Sequence, residues 1–284
     1  MVVTNLKFPG WKDKVLTLSY DDGVVQDIRL IGILDKYGLK GTFHVNSGLW
    51  LEEDAQRDRF YGRMKLSEAK ELYIGSGHEV AVHTLTHAFL ERLSAPEAVS
   101  QVMEDRKNLE RDFGPLVRGM SYPYGTYSDN VVNILKQCGI CYSRTVEATH
   151  SFAFPPKEWL TLPTTCHHND KRLMELAETF VNQKLTHQRL SMFYLWGHSY
   201  EFDDNDNWDV IERFAEYMGG REEIWYATNM EIYGYTKAYQ SLIKSADGTA
   251  IYNPTDQTIW FVAGHDQVNV KQYQIGPGET MFIQ

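Results

Sequence analysis

Two short segments carry groups that could do chemistry together. Leu18-Ser19-Tyr20-Asp21-Asp22-Gly23 sets two carboxylates side by side at the end of an apolar run. His83-Thr84-Leu85-Thr86-His87 sets two imidazoles four residues apart at the end of another. If both runs are parallel strands of one barrel, these groups meet at its C-terminal rim. One Asp and two His make an N,N,O set with open positions, which suits a divalent metal that must also hold water and substrate. The other Asp is left free to take a proton from that water. Each segment alone has a plainer reading: Asp-Gly is a common turn signal, and two His can be polar residues of an exposed loop. Together, both after apolar runs, they point to a metal-dependent hydrolase.

Such groups need strands and helices to place them. Residues 15–20 are apolar, and Val24, Val25, Ile28, Ile31 and Leu34 follow at helical spacing, with Gly38 as a stop. Gly41–Val45, residues 78–82, 117–122, 140–144, 160–164 and 190–196 read as further strands. Helices are expected at Leu66–Tyr73, 95–113, 128–137, 173–185, 207–218 and 230–244. Ser94 and Glu97 form a capping box at the start of the second of these, with Pro96 in its first turn. The alternation predicts parallel strands with right-handed crossovers, closed into a (β/α) barrel. From Ala250 the pattern changes to short strands and turns at 251–254, 258–262, 268–270 and 280–283. This divides the chain into an α/β barrel, residues 1–245, and a small antiparallel β appendage, residues 246–284, packed on it.

Composition narrows the classes. The chain has 284 residues, with 38 acidic against 28 basic ones and a net charge of −10. That excess argues against nucleic acid or an anionic membrane as the main partner. No apolar stretch is long enough to span a membrane. No charged segment followed by an apolar one opens the chain, so a cytoplasmic location is the expectation. The Cys138-Gly139-Ile140-Cys141 pair lies where a helix runs into a strand, and reads as two small buried residues rather than a metal or redox pair. The sequence leaves the oligomeric state open.

Ser-Tyr-Asp-Asp-Gly with His-Thr-Leu-Thr-His resembles the first two motifs of the polysaccharide deacetylases, the NodB-homology carbohydrate esterases. Tyr122-Pro123-Tyr124-Gly125 and Leu195-Trp196-Gly197-His198 follow in the family's order. The resemblance implies a distorted (β/α) barrel that removes acetyl groups from a carbohydrate, an acetylated sugar being the partner. It implies Asp21 as catalytic base, and Asp22, His83 and His87 as ligands of a divalent ion, Zn²⁺ foremost, with Co²⁺, Ni²⁺ or Mn²⁺ as alternatives. It implies an oxyanion contact from the Tyr124 backbone N–H and His198 as the acid that protonates the leaving group.

Three departures from the family pattern stand out. The third motif usually carries an Arg two residues before its Pro, paired with the base; Ser121 stands there, and Arg144 at the end of the next strand is a candidate replacement. The fifth motif usually has Leu before its His, as a wall for the acetyl methyl; here it is Gly197, with Trp196 or Leu195 as substitutes. The Asp that tunes the catalytic His has no clear counterpart, and Glu201, Asp203 and Asp204 are candidates by proximity. A poorly tuned acid would tilt the substrate towards an O-acetyl ester, which has the better leaving group. His78 reads as structural, whereas His44 and His167-His168 stand where they could touch substrate. Two other readings stay open: hydrolysis of a small non-sugar amide on the same barrel, and carbohydrate binding by a decayed site.

Overall fold

The computed structural model describes residues 3–56, 62–114, 116–186, 188–264 and 270–283. In chain order it runs β1 (Val3–Lys7), β2 (Lys14–Asp21), α1 (Gln26–Lys36), β3 (Gly41–Val45), α2 (Leu66–Tyr73), β4 (Glu79–Val82), α3 (Ala95–Phe113), β5 (Gly119–Ser121) and α4 (Asp129–Gln137). Then follow β6 (Tyr142–Ala148), β7 (Ala153–Phe154), β8 (Leu162–Thr164), β9 (Cys166–His167), α5 (Leu173–Asn182), β10 (Leu190–Gly197), α6 (Glu201–Asp204), α7 (Trp208–Met218), β11 (Ile224–Tyr226) and α8 (Asn229–Gln240). Five short strands end the chain: β12 (Ile243–Lys244), β13 (Ala250–Tyr252), β14 (Ile259–Gly264), β15 (Lys271–Ile275) and, last, β16 (Thr280–Phe282).

The main sheet runs β10-β2-β3-β4-β5-β6-β8, with every neighbouring pair parallel. β8 lies on β6, while β9, one residue further on, lies on β10. That broken strip carries the sheet from one edge back to the other, and the result is the distorted (β/α) barrel that the alternation of elements implies. The first half of β2 pairs with β11 and its second half with β3.

The alternation of side chains along the strands explains why the site is where it is. β2 is buried along its whole length, as a strand covered on both faces must be. Leu16, Leu18 and Tyr20 join the large cluster under the helices, with Leu30, Leu34, Phe43 and Phe193. Val15, Thr17, Ser19 and Asp21 therefore face the other way, into the barrel. The same rule puts Thr42 and His44, Tyr142 and Arg144, and Tyr194 and Trp196 inside. The register sets Asp21 opposite His44 and Ser121 opposite Arg144, so these four end up at one level of the barrel mouth.

Beneath them the interior is polar and satisfied. Glu79 accepts from the Thr42 and Tyr142 hydroxyls at 2.9 and 2.7 Å and from the Met230 N–H at 2.9 Å. Asn229 bridges Thr17 and Tyr194. Gly119 makes room for this plug, since a Cβ there would collide with the Tyr142 ring.

The sequence pattern and the structure differ at several boundaries. The strand expected at 117–122 is only Gly119–Ser121, and the one expected at 140–144 runs Tyr142–Ala148. The last helix stops at Gln240 and the chain re-enters a sheet at Ile243. β1, β7, β9 and β11 were not expected; all are short, and they exist because a partner strand offers free ladder positions. β1 pairs with β14, so the chain's start joins the appendage. That appendage shares one apolar cluster with the barrel floor, through Phe8, Tyr142, Tyr194, Tyr235, Ile259 and Phe261. Of the strand expected at 268–270, residues 268 and 269 lie outside the described residues. Among the described residues no helix is long and apolar enough to cross a membrane.

Candidate active site

At the end of β2 the chain turns sharply. Asp22 has φ +88°, a left-handed backbone that few side chains adopt, and this swings its carboxylate to the same side as that of Asp21. Thr84, His87 and Tyr124 also have positive φ. Left-handed non-glycine residues cost energy and gather where a site demands them, and four of them surround this rim.

Asp22 Oδ1 lies 4.0 Å from His83 Nε2 and 3.7 Å from His87 Nε2, and the three donor atoms are within 4.8 Å of one another. His83 is wired as a ligand. Its Nδ1 donates to the Ser121 carbonyl at 3.0 Å and to Ser121 Oγ at 2.7 Å, which leaves the lone pair on Nε2, towards Asp22. Burial, aided by His87 and His44, brings its pKa down to about 3 against the pull of Asp21 and Asp22, so the ring is neutral. Burial likewise lowers His87. Two neutral imidazoles and a carboxylate at these separations fit a divalent ion about 2.0–2.2 Å from each donor.

The second carboxylate, Asp21, has different company. Arg144 Nη2 pairs with its Oδ2, while Ser121 Oγ donates to Oδ1 at 3.1 Å and His44 Nδ1 faces Oδ1 at 3.2 Å. Burial pushes this carboxyl up, but Arg144, His83 and His44 outweigh it and hold it well below the usual carboxylate range. The expected loss of a cationic partner at position 121 does not occur: Arg144 enters from the next strand, in register with Ser121, and Ser121 fills the remaining gap. Arg144 is fully buried and lies under Trp196, its guanidinium 4.4 Å from the ring centre.

His44, read as a residue near substrate, is also fully buried and stands behind Asp21 as its partner. His78 ties α1 to β3: Nδ1 accepts from the Gly41 N–H at 2.9 Å and Nε2 faces Asp35 at 3.1 Å. Cys138 and Cys141 are buried free thiols.

Tyr124 sits in the turn Pro123–Gly125 after β5, half exposed. Its ring lies flat on Phe89 at 3.6 Å and meets the His87 ring edge-on at 4.4 Å, which fixes its main chain beside the His87 side of the rim. His198 follows β10. Its Nδ1 faces Glu201 Oε1 at 3.4 Å, so of the three carboxylates proposed from proximity, Glu201 is the one that meets it. Burial lowers the His198 pKa, but Glu201 first, then Asp21 and Asp22, more than compensate and raise it. Trp196 is nine-tenths buried, 5.7 Å from the His198 ring and 4.6 Å from that of His167.

The missing Leu before His198 has a steric reason. A Cβ at Gly197 would collide with the imidazole of His168, which occupies that space and stacks on Phe202 at 4.1 Å. Sequence reasoning also missed a supporting set. Arg63 reaches Asp22 at 3.1 Å and Asn46 at 2.9 Å, and Asp105 accepts the N–H groups of Ser47 and His83. Ser199 and Tyr73 donate to the buried carboxyl of Asp27. None of these had a sequence signal beyond being polar, since their partners lie on other elements.

Residues 10–143 match the polysaccharide deacetylase family. A chitooligosaccharide deacetylase of Sinorhizobium fredii is 28% identical over 145 residues, which span 50% of this chain and 58% of that relative. Two solved structures share the fold. One is a protein of Mycobacterium smegmatis assigned to the polysaccharide deacetylases, with TM-score 0.56 at 15% identity, covering 84% of this chain and 95% of its own. The other is the carbohydrate esterase domain of a multidomain xylanase from the hindgut metagenome of Trinervitermes trinervoides, with TM-score 0.53 at 15% identity, covering 80% and 92%. Over residues 10–143, a little under half of its length, the chain is similar to the polysaccharide deacetylases, as its motifs imply.

Proposed function

We propose that this protein is a metal-dependent deacetylase acting on an acetylated oligosaccharide, with the N-acetyl amide as the favoured bond. The observation that carries this reading is the division of labour between two adjacent carboxylates. Asp22 faces two neutral imidazoles, whereas Asp21 is paired with Arg144 and kept ionised. Asp22, His83 and His87 would hold a divalent ion, Zn²⁺ foremost, which when bound polarises the acyl carbonyl and makes water a better nucleophile.

The protein's own groups do the rest. Asp21 takes a proton from the attacking water. The Tyr124 N–H, on a main chain fixed by the ring's contacts with Phe89 and His87, stabilises charge on the acyl oxygen. The bond to the leaving atom then breaks, the electron pair goes to nitrogen, and His198 supplies that nitrogen's proton. Acetate and a free amine leave. Passage of the proton from Asp21 back to His198 through solvent resets the site.

The tilt towards an ester rested on a missing Arg and a missing carboxylate. Arg144 and Glu201 stand in those roles, and a site with both partners is equipped for the poorer leaving group. The test is acetate release from chito-oligosaccharide and from acetylated xylo-oligosaccharide, each with Zn²⁺ or Co²⁺ and with chelator. Release from the first, lost with chelator and restored by metal, is expected. Release from the second alone would move the substrate to an O-acetyl sugar. Release from neither, with an ion bound, overturns the reading in favour of a small amide substrate or a carbohydrate-binding role.

A further inference from the structure

Outside the stretch that matches the family lies a second cluster of donors. His167, His198 and Glu201 bring one donor atom each within 4.8 Å of the others, as closely as Asp22, His83 and His87 do. Spacing alone would make it a second metal site, but the hydrogen bonding argues otherwise. The Asn169 N–H donates to His167 Nδ1 at 3.1 Å, so that nitrogen carries the lone pair. In the neutral ring the proton is then on Nε2, which lies 3.1 Å from Glu201 Oε2. A protonated nitrogen is a donor to a carboxylate and cannot ligate an ion.

His168 reaches the same oxygen from behind, with Nε2 3.0 Å from Glu201 Oε2. The ring is fully buried, and the Glu201 carboxylate is the polar group that its Nε2 approaches. Burial lowers its pKa to about 4, so it is neutral, with one N–H to give. Gly197 is what lets the ring sit there. Two imidazoles thus converge on Oε2 and leave Oε1 to face His198 Nδ1.

We propose that His167 and His168 are positioning residues which clamp Glu201 by one oxygen, so that the other orients His198 for proton delivery to the leaving group. Glu201 opens a four-residue helix, Glu201–Asp204, where the His198 main-chain N–H also approaches Oε2, at 3.5 Å. A carboxylate held from two sides presents one orientation, and an acid pre-oriented in this way avoids reorganisation as the bond breaks. The inference rests on the deacetylase reading, since it needs His198 to act as an acid.

The test separates positioning from folding through the leaving group. A His198 proton is needed for an amine and not for p-nitrophenolate. His168→Phe keeps the stack on Phe202, and His167→Ala removes the half-buried member. In each variant kcat on N-acetyl chito-oligosaccharide is expected to fall about tenfold or more, while turnover of p-nitrophenyl acetate changes less than about threefold. His168→Gln, which restores an N–H donor, should recover part of the loss. Equal losses on both substrates, or none, overturn the proposal. A readout free of activity keeps it distinct from the proposed function: the ¹⁵N shift of His198 Nδ1. That nitrogen should be protonated in the native chain and lose this signature in the double variant His167→Ala/His168→Phe. An unchanged shift overturns the clamp even if the chain deacetylates sugars; a changed shift upholds it even if no acetate is released.

Discussion

The two histidine–carboxylate clusters of this protein have nearly the same donor spacing and opposite wiring. In Asp22–His83–His87, the buried ring of His83 gives its Nδ1 proton to the Ser121 carbonyl, so a lone pair points into the cluster. In His167–His198–Glu201, a backbone N–H takes the lone pair of His167, so a proton points in. The first arrangement suits a cation; the second suits an anion. The difference lies in which backbone group, C=O or N–H, meets the far nitrogen of each ring, a detail that spacing does not record. Each cluster also stands on a buried carboxyl of its own: Asp105 under the His83 turn and Asp27 under the His198 turn.

The largest effect that could break this contrast is on metal content. One divalent ion per chain is expected by equilibrium dialysis with elemental analysis. His83→Ala should abolish tight binding, at a cost beyond the roughly 10–100-fold typical of outer-sphere changes, and His167→Ala should leave one ion bound. Two ions in the native chain, with the second lost in His167→Ala, would sink the distinction.

Next comes Arg144→Met, which strands a buried carboxylate. A loss of about 3–5 kcal/mol in unfolding free energy is expected, read by denaturant titration. Arg144→Lys should recover a good part of it. A native-like Arg144→Met would mean that Ser121 and His44 suffice to hold Asp21.

The two buried carboxyls sharpen the comparison through pH. For Asp27, burial dominates over the Ser199 and Tyr73 hydrogen bonds and raises the pKa to about 7; for Asp105, burial dominates over the bonds from Ser47 and His83, with the same outcome. A carboxyl whose folded pKa is raised binds its proton more tightly in the native state. Its contribution is complete below the unfolded value near 4 and is lost as pH rises through 7. For a shift of about three units this amounts to roughly 4 kcal/mol. Asp27→Asn should flatten the stability profile between pH 5 and 8, because hydroxyl partners can rotate to serve an amide. A slope equal to that of the native chain would show that Asp27 does not titrate there.

The smallest effect is at Gly197. An added methyl must push His168 aside, so Gly197→Ala should cost about 1–3 kcal/mol in stability. It should also lower amide turnover more than that of the activated ester. A neutral substitution would mean that the His168 ring has room to spare.

Much of the first cluster was legible in the sequence because its signals are local. Asp21-Asp22 and the two His four residues apart each sit at the end of one strand, and parallel alternation already implies that strand ends share a rim. The first half of the chain, which matches the family, holds all four. The barrel was legible for the same reason: its strands are buried on both faces and read as apolar runs. The clamp on Glu201 was not. Its members are the last residue of β9, a strand of two residues with no pattern of its own, the residue that follows it, and the first residue of α6.

By itself the sequence determined the barrel, the order of its elements and which carboxylates and imidazoles meet at its mouth, because hydrophobic period and strand ends are properties of neighbouring residues. Only the tertiary structure decided that Arg144 replaces the Arg absent at position 121 and that His168 fills the space beside Gly197. It also decided which ring nitrogen carries a proton. Those outcomes depend on register between strands, on shared volume and on backbone groups brought in from other elements, none of which leaves a mark on the residues nearby in the chain.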